Sequence, residues 1–496
     1  MGVILERSDF YNYVSNGHHF FWALIEKVAP LAISFVASVI IARMVGPAAY
    51  GLIGMMAIFL ALGQAFSELG FSAALVQRRE ITQDDEKSVF VINLAAGLFI
   101  TLVLCALSPL VSDFFEQPEL TLLLCVQSQG ILIASTAIVQ FALISRRMQF
   151  RFGAIIELGA TIISGTVGIA MAYTGYGVWS LIALGLTREL VRAMAAWIVG
   201  GWRPKGRFSA ARVKRMWDYC SKLLYASLLH RLTTNLHTIF IGKIFAPSIL
   251  GLYTRASGLQ ALPIGVVSGV VQRVAFPLFS KNQNDKVFLL ASLRNQIRLL
   301  AMASSFIMAL LGVLAAELIP WLFGSDWTGS VPILEIICLG GVFSSVFPLH
   351  SQMTMALGVS RLFFKIEMLK KLVIVVVLLA VYRYGITAFA WGAVVIAVSD
   401  YCLSAFPSTR LLQYSWRMQA ADMLPVLALN GLAAAMLINI QWDPEWPALF
   451  VMIAKASILV TMVGIGIYTF RSSHFMGIWQ FMTSCLSTVG VRLGRS

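Results

Sequence analysis

The chain has 496 residues, of which 59% are hydrophobic and 12% charged, far from the roughly 25% charged content of a soluble domain. The formal net charge of +14 arises from short basic segments between apolar stretches, which read as topology signals facing anionic lipid and argue against a nucleic-acid partner. The six cysteines stand apart from one another, with neither CxxC nor metal-ligand spacing, so no metal site or cofactor is expected.

Fourteen apolar stretches follow in order, at about residues 20 to 42, 51 to 76, 88 to 112, 120 to 144, 152 to 174, 177 to 200, 223 to 245, 250 to 278, 297 to 320, 331 to 357, 366 to 384, 387 to 409, 422 to 440 and 446 to 470. Each supplies the roughly 17 to 25 residues that cross a bilayer. With the N-terminus inside, 27 of the 37 Lys and Arg fall in cytoplasmic segments and 3 outside, where Asp113, Glu116, Glu119, Asp326, Asp443 and Glu445 lie. This bias places both termini in the cytoplasm. The first stretch lacks the pattern of a cleavable signal, so the chain is expected to serve as its own anchor.

The connections are short, the longest being the basic segment from about Gly201 to Lys222, and they leave no room for an extramembrane catalytic domain. Walker-type, HExxH and GxSxG motifs are absent from the sequence, so the chain is not expected to be an enzyme.

After the first stretch the chain reads Arg43, Pro47, Gly51; after the seventh, Lys243, Pro247, Gly251, at the same spacing. A fainter echo pairs Gly175-Tyr176-Gly177-Val178-Trp179 with Gly385 to Trp391. The repeat predicts an all-α polytopic membrane protein of about 14 transmembrane helices, two six-helix pseudo-symmetric lobes plus two extra C-terminal helices. Residues 1-222 form the first lobe with its basic linker, 223-412 the second, 413-470 the accessory pair and 471-496 a cytoplasmic tail. Parallel repeats of this kind predict a substrate path between lobes that open alternately to the two sides.

Ionisable residues inside spans cost at least about 2.5 to 3.5 kcal/mol each, which makes each a functional candidate. Arg188 and Arg192 share a face of the sixth span, with Glu189 able to pair with Arg192. On the seventh, His230, Thr233, Thr234 and His237 follow helical spacing, flanked by Arg231 and Asn235, and predict a polar stripe facing a cavity. At about 1.5 Å per residue, Arg231 lies roughly 12 Å and Lys27 roughly 10 Å from the cytoplasmic side, and Arg255 about 8 Å below the outer surface. We read Lys27, Arg188, Arg192, Arg231 and Arg255 as a cationic site for an anionic group, with Arg favoured for bidentate contacts. Glu26, Glu68, Glu157, Glu335 and Asp400 are read as charge balance or coupling sites for a proton or sodium ion. Arg273 is read as snorkelling and Lys455 as an accessory-helix polar contact.

The runs Ala42 to Gly51, Phe66 to Arg78, Arg146-Arg147-Met148-Gln149-Phe150 and Gly175 to Ser180 resemble the Wzx-type lipid-linked oligosaccharide flippases, the polysaccharide transporter family of the multidrug/oligosaccharidyl-lipid/polysaccharide exporter superfamily. The detailed resemblance covers about residues 20 to 200. It implies that an undecaprenyl-pyrophosphate-linked oligosaccharide is carried from the inner to the outer leaflet of a bacterial cytoplasmic membrane for exopolysaccharide or O-antigen synthesis, with a polysaccharide polymerase and co-polymerase as partners. A cation-coupled exporter of small molecules and a membrane-embedded enzyme of glycan assembly are the alternatives; the first would prefer carboxylates to arginines, the second a long outer loop.

Overall fold

All fourteen apolar stretches are helical in the computed structural model, which describes residues 17–469 apart from Arg79, Gln441 and Pro444. Side chains are described from residue 29 onward, those of Phe150, Val270, Arg273, Val274 and Thr469 excepted. The expected snorkelling of Arg273 and the tail 471-496 therefore lie outside the described residues, as do the side chains of Glu26 and Lys27.

The helices are α1 (Gly17–Glu68), α2 (Phe71–Gln77), α3 (Gln83–Phe115), α4 (Glu119–Ser135), α5 (Ile138–Arg146), α6 (Phe150–Tyr173), α7 (Val178–Val199), α8 (Ala210–Thr234), α9 (Leu236–Ile244), α10 (Pro247–Lys281), α11 (Lys286–Phe323), α12 (Ser330–Ala356), α13 (Ser360–Val381), α14 (Ile386–Leu411), α15 (Trp416–Ile438) and α16 (Ala448–Thr469). No strand occurs among the described residues. Among the described residues eight helices are long and apolar enough to cross a membrane, nine if α4 and α5, bent by 44°, are one span. One of the eight, α1, carries the first two expected stretches and kinks between them at Gly46, whose φ of 76° is a left-handed conformation that an L side chain resists. Other expected spans carry charge: α7 holds Arg188, Glu189 and Arg192, and α13 holds Arg361, Lys365, Glu367, Lys370 and Lys371.

The chain forms two compact units, Met1–Gly251 and Leu252–Ser496. The seventh stretch, α8 with α9, thus belongs to the first unit, whereas the repeat alone assigns it to the second lobe. In the first unit α1 packs along α6, α6 along α7, and α3 along α4. Thr82 and Asp85 cap α3 reciprocally: the Thr82 hydroxyl accepts from the Asp85 N–H at 3.3 Å, and the Asp85 carboxylate accepts from the Thr82 N–H at 3.0 Å. The basic linker is drawn onto this acidic helix start. Arg212 pairs with Asp85 at 3.2 Å and Asp84 at 3.4 Å, the Arg207 N–H donates to Asp84, and the Trp202 indole donates to Glu86 at 2.6 Å. Part of the basic charge read as facing lipid is therefore spent inside the protein.

The two copies of the Pro-x-x-x-Gly motif meet within the first unit. A Cβ added at Gly51 would overlap the Pro247 carbonyl oxygen and lie 2.8 Å from the Pro247 Cα; one at Gly251 would overlap the Pro47 carbonyl oxygen and lie 2.8 Å from its carbon. The repeat is a reciprocal contact that only glycine allows. Beside it, Lys243 bridges to Glu116 at 2.7 Å and lies over Phe114, holding the exposed Glu116 carboxyl below the usual carboxylate range. A carboxyl lowered in this way keeps its bridge at neutral pH and loses it as the pH falls through its own titration.

In the second unit α12 packs along α14 and against α11, and α11 also carries α15 and α16. Asp422 on α15, with its side chain fully buried, accepts from Arg294 at 2.7 Å, Arg298 at 2.5 Å and the Tyr414 hydroxyl at 2.8 Å. Lys455 on α16 reaches Glu317 on α11 at 2.6 Å, as its reading as an accessory-helix contact anticipates. These two ion-pair groups fasten the accessory helices to α11.

Candidate functional site

Three of the expected spans in the first unit are interrupted. Span two breaks at Leu69 and Gly70, both with left-handed backbone, and resumes as α2. Span four breaks at Thr136 and Ala137 and resumes as α5, which packs against α2. Span seven breaks at Asn235, whose side-chain amide donates to the Arg231 carbonyl at 2.8 Å, an oxygen that also accepts the Asn235 backbone N–H at 3.3 Å. Irregular backbone at membrane depth is tolerated where protein or a cavity takes up its polar groups.

The first two breaks face one cavity of about 530 Å³. Its polar lining includes Glu68, the residue before the first break, Gln77, Ser145, and Glu189 and Arg192 from α7; Ala134 and Ala137 come from the second break. On one side of the cavity stands the ion-pair cluster. Arg192 Nε lies 2.7 Å from Glu157 Oε1, Arg192 Nη1 lies 3.0 Å from Glu189 Oε2, and Arg188 Nη2 lies 3.3 Å from Glu157 Oε2. The Arg192 guanidinium also sits 4.9 Å over the Phe141 ring. Glu68 of α1 lines the same cavity as Glu189 and Arg192 of α7.

The structure thus joins Glu157, Arg188, Glu189 and Arg192 in one ion-pair cluster, two carboxylates against two guanidinium groups. Arg188 and Arg192 are not bare cations; their fixed partners hold them in place. Arg231 makes a longer contact, its Nε 3.4 Å from the Ser227 hydroxyl.

The expected continuous stripe on span seven is not formed. The helix stops at Thr234, so His237 belongs to α9; His230 is exposed while Thr233 is buried, and both threonine hydroxyls donate to backbone carbonyls of their own helix. The break at Asn235 resets the helical phase that the spacing assumes.

Arg255, Glu335 and Asp400 lie in the second unit with neighbours of their own. Arg255 rests on the Phe323 and Trp327 rings, 4.8 and 5.5 Å from their centroids. Glu335 feels Lys455 and Glu317, and Asp400 feels Lys370, Lys371 and Glu367. Lys370, which the charge census places at the cytoplasmic surface, is 3% exposed; it pairs with Glu367, donates to the Ser404 hydroxyl at 3.3 Å and lies over Phe347. The linear pattern hides this burial because Lys365, Lys370 and Lys371 read as one basic edge. The Asp422 group escapes for the same reason, its arginines falling at the mouth of a span.

Residues 40–332, more than half of the chain, match the family model described as "Polysaccharide biosynthesis protein". The chain is 23% identical over 392 residues to the lipopolysaccharide biosynthesis protein WzxC of Escherichia coli (strain K12), covering 78% of this chain and 79% of that protein. It is 25% identical over 318 residues to the succinoglycan biosynthesis transport protein ExoT of Rhizobium meliloti (strain 1021), covering 64% of each. A solved structure of the lipid II flippase MurJ in an inward closed conformation shares the fold, with a TM-score of 0.70, 14% identity, and coverage of 91% of this chain and 99% of that one.

Proposed function

The chain belongs to the polysaccharide biosynthesis protein family, and from that premise we propose that it flips lipid-linked oligosaccharide from the inner to the outer leaflet of a bacterial cytoplasmic membrane. It acts as a transporter and not as an enzyme, with both termini cytoplasmic, and it hands its cargo to a polysaccharide polymerase and co-polymerase. The polyprenyl tail stays in lipid; the work lies in carrying a pyrophosphate and several sugars through hydrocarbon.

The observation that carries this reading is the guanidinium group of Arg192, which lines a cavity bounded by two helix breaks and shares Glu157 with the neighbouring Arg188. Without cargo, Glu157 and Glu189 neutralise them, which lowers the cost of keeping charge in the membrane. A pyrophosphate competes for the same donors, and Arg can meet it bidentately. Its arrival obliges a carboxylate either to leave its partner or to take up a proton, and this exchange couples cargo to protons through Glu68, Glu157 and Glu189. The likeness to a succinoglycan biosynthesis transport protein and a lipopolysaccharide biosynthesis protein supports a glycan as the cargo.

The test replaces Arg188 and Arg192 together by Gln and compares variants at matched membrane abundance. Lipid-linked repeat units should accumulate in the inner leaflet and export should stop, while Arg192→Lys retains part of the export because it keeps the charge and loses the planar fork. Full export by the double variant would remove these residues from the site.

A further inference from the structure

A second cavity in the first unit, of about 350 Å³, has a different chemistry. It is lined by Ser34, Ser38 and Tyr50 of α1, Gln127 of α4, Thr161 and Ser164 of α6, and Arg188 of α7, among apolar neighbours. No carboxylate lines it, so nothing there would balance a cationic ligand.

Its unspent hydrogen-bonding capacity is specific. The Gln127 carbonyl oxygen is buried with no donor, among the described residues. The Thr161 hydroxyl gives its proton to the Glu157 carbonyl at 2.7 Å, and the Ser164 hydroxyl gives its own to the Thr161 carbonyl at 3.3 Å, leaving both oxygens able only to accept. Arg188 spends Nη2 on Glu157, while its buried Nε has no acceptor among the described residues. Beside the Ser34 and Ser38 hydroxyls, the walls therefore present three oxygens that can only accept and one charged donor. A phosphate or carboxylate brings acceptors alone and would leave Gln127, Thr161 and Ser164 unmet. A polyol brings donors and acceptors on neighbouring atoms. The volume lies at the low end of the range for small-molecule pockets, near about 300 Å³, which suits one ring and not a chain.

We propose that this cavity is a carbohydrate subsite that holds one hydroxyl-rich sugar ring of the transported glycan. Thr161 and Ser164 accept from ring hydroxyls, and the buried Gln127 Oε1 and Arg188 Nε join them as their side chains turn toward the ring. Arg188 joins the two functions: one nitrogen belongs to the charge cluster and another to the sugar pocket. This assignment rests on the transport reading and adds where the protein recognises sugar as opposed to pyrophosphate.

The test uses full-length protein in nanodiscs and two probes: sugar-free undecaprenyl pyrophosphate, and the lipid-linked repeat unit extracted from a polymerase-deficient strain of the host. Gln127→Leu and Thr161→Val should each weaken binding of the glycan-bearing lipid about ten-fold, the cost of leaving a bound hydroxyl without its acceptor. Both should bind the sugar-free lipid as wild type does, which also shows that they are folded. Equal loss on both lipids, or no loss on either, overturns the subsite while leaving the transport reading intact. Wild-type protein that binds neither lipid overturns the transport reading, and the subsite falls with it.

Discussion

The reciprocal contact of Gly51 and Gly251 gives a prediction whose sign is informative. Both glycines lie in helices, where replacing Gly by Ala ordinarily stabilises by about 0.5–1 kcal/mol through lost backbone entropy in the unfolded chain. Here the new methyl would overlap the carbonyl oxygen of the opposite proline, with other backbone atoms at 2.8 Å. Backbone cannot rotate aside as a side chain does, so the two segments must separate and loosen the packing around Met55, Phe115 and Gly242, which meet beside them. Overpacking of this kind costs about 1–3 kcal/mol, which outweighs the entropic gain. Gly51→Ala and Gly251→Ala should therefore each lower the midpoint of thermal unfolding of the purified full-length protein at a fixed heating rate. The double variant should lose less than the sum, because one methyl already creates the gap that the second would force. Gly159→Ala on α6, where a Cβ meets nothing within 4 Å, is the control and should melt at or above wild type. Single variants at 51 and 251 that melt no lower than wild type would refute the contact.

Asp422→Asn leaves Arg294 and Arg298 facing a neutral amide; their side chains are 27% and 19% exposed, so the loss should fall at or below the about 3–5 kcal/mol of a broken buried pair, read as a lower melting midpoint and less protein in the membrane. Lys455→Met should destabilise more than Lys455→Met combined with Glu317→Leu, because the single change strands a carboxylate that the double change removes; equal losses would mean that the pair does not fasten α16.

How far the sequence could be read depends on whether the physics at a residue is local or shared. Apolar length is local, and every expected span is found on helix; so are the glycines opening the sixth and twelfth spans, where Gly177 and Gly385 both have positive φ. Breaks are not local. Nothing near Thr136 marks an interruption, since no Pro or Gly stands there; the bend is set by α5 packing on α2, and Asn235 resets the phase of a stripe that spacing alone would continue. Partnerships are less legible still. Arg192 and Glu189 are three residues apart and can be paired on paper, whereas Glu157 is 31 residues before Arg188 and joins the cluster only because α6 lies along α7.

The same distinction explains why the cations mislead as a set. Counted along the chain, seven basic residues inside spans suggest an anion site with charge to spare. In the folded protein Arg188 and Arg192 share Glu157, Arg255 lies on two aromatic rings, and Lys455 holds Glu317. Arg255 and Lys455 have these partners within the second unit, so a count of charges along the chain does not by itself locate an anion site. What singles out the α7 pair is its place beside two broken helices and a cavity, where the ion pairs can be exchanged without exposing backbone to lipid. The polar cavity behind Arg188 extends that logic, since a ligand carrying both charge and hydroxyls can satisfy the two chemistries at once, and a simple anion can satisfy only one.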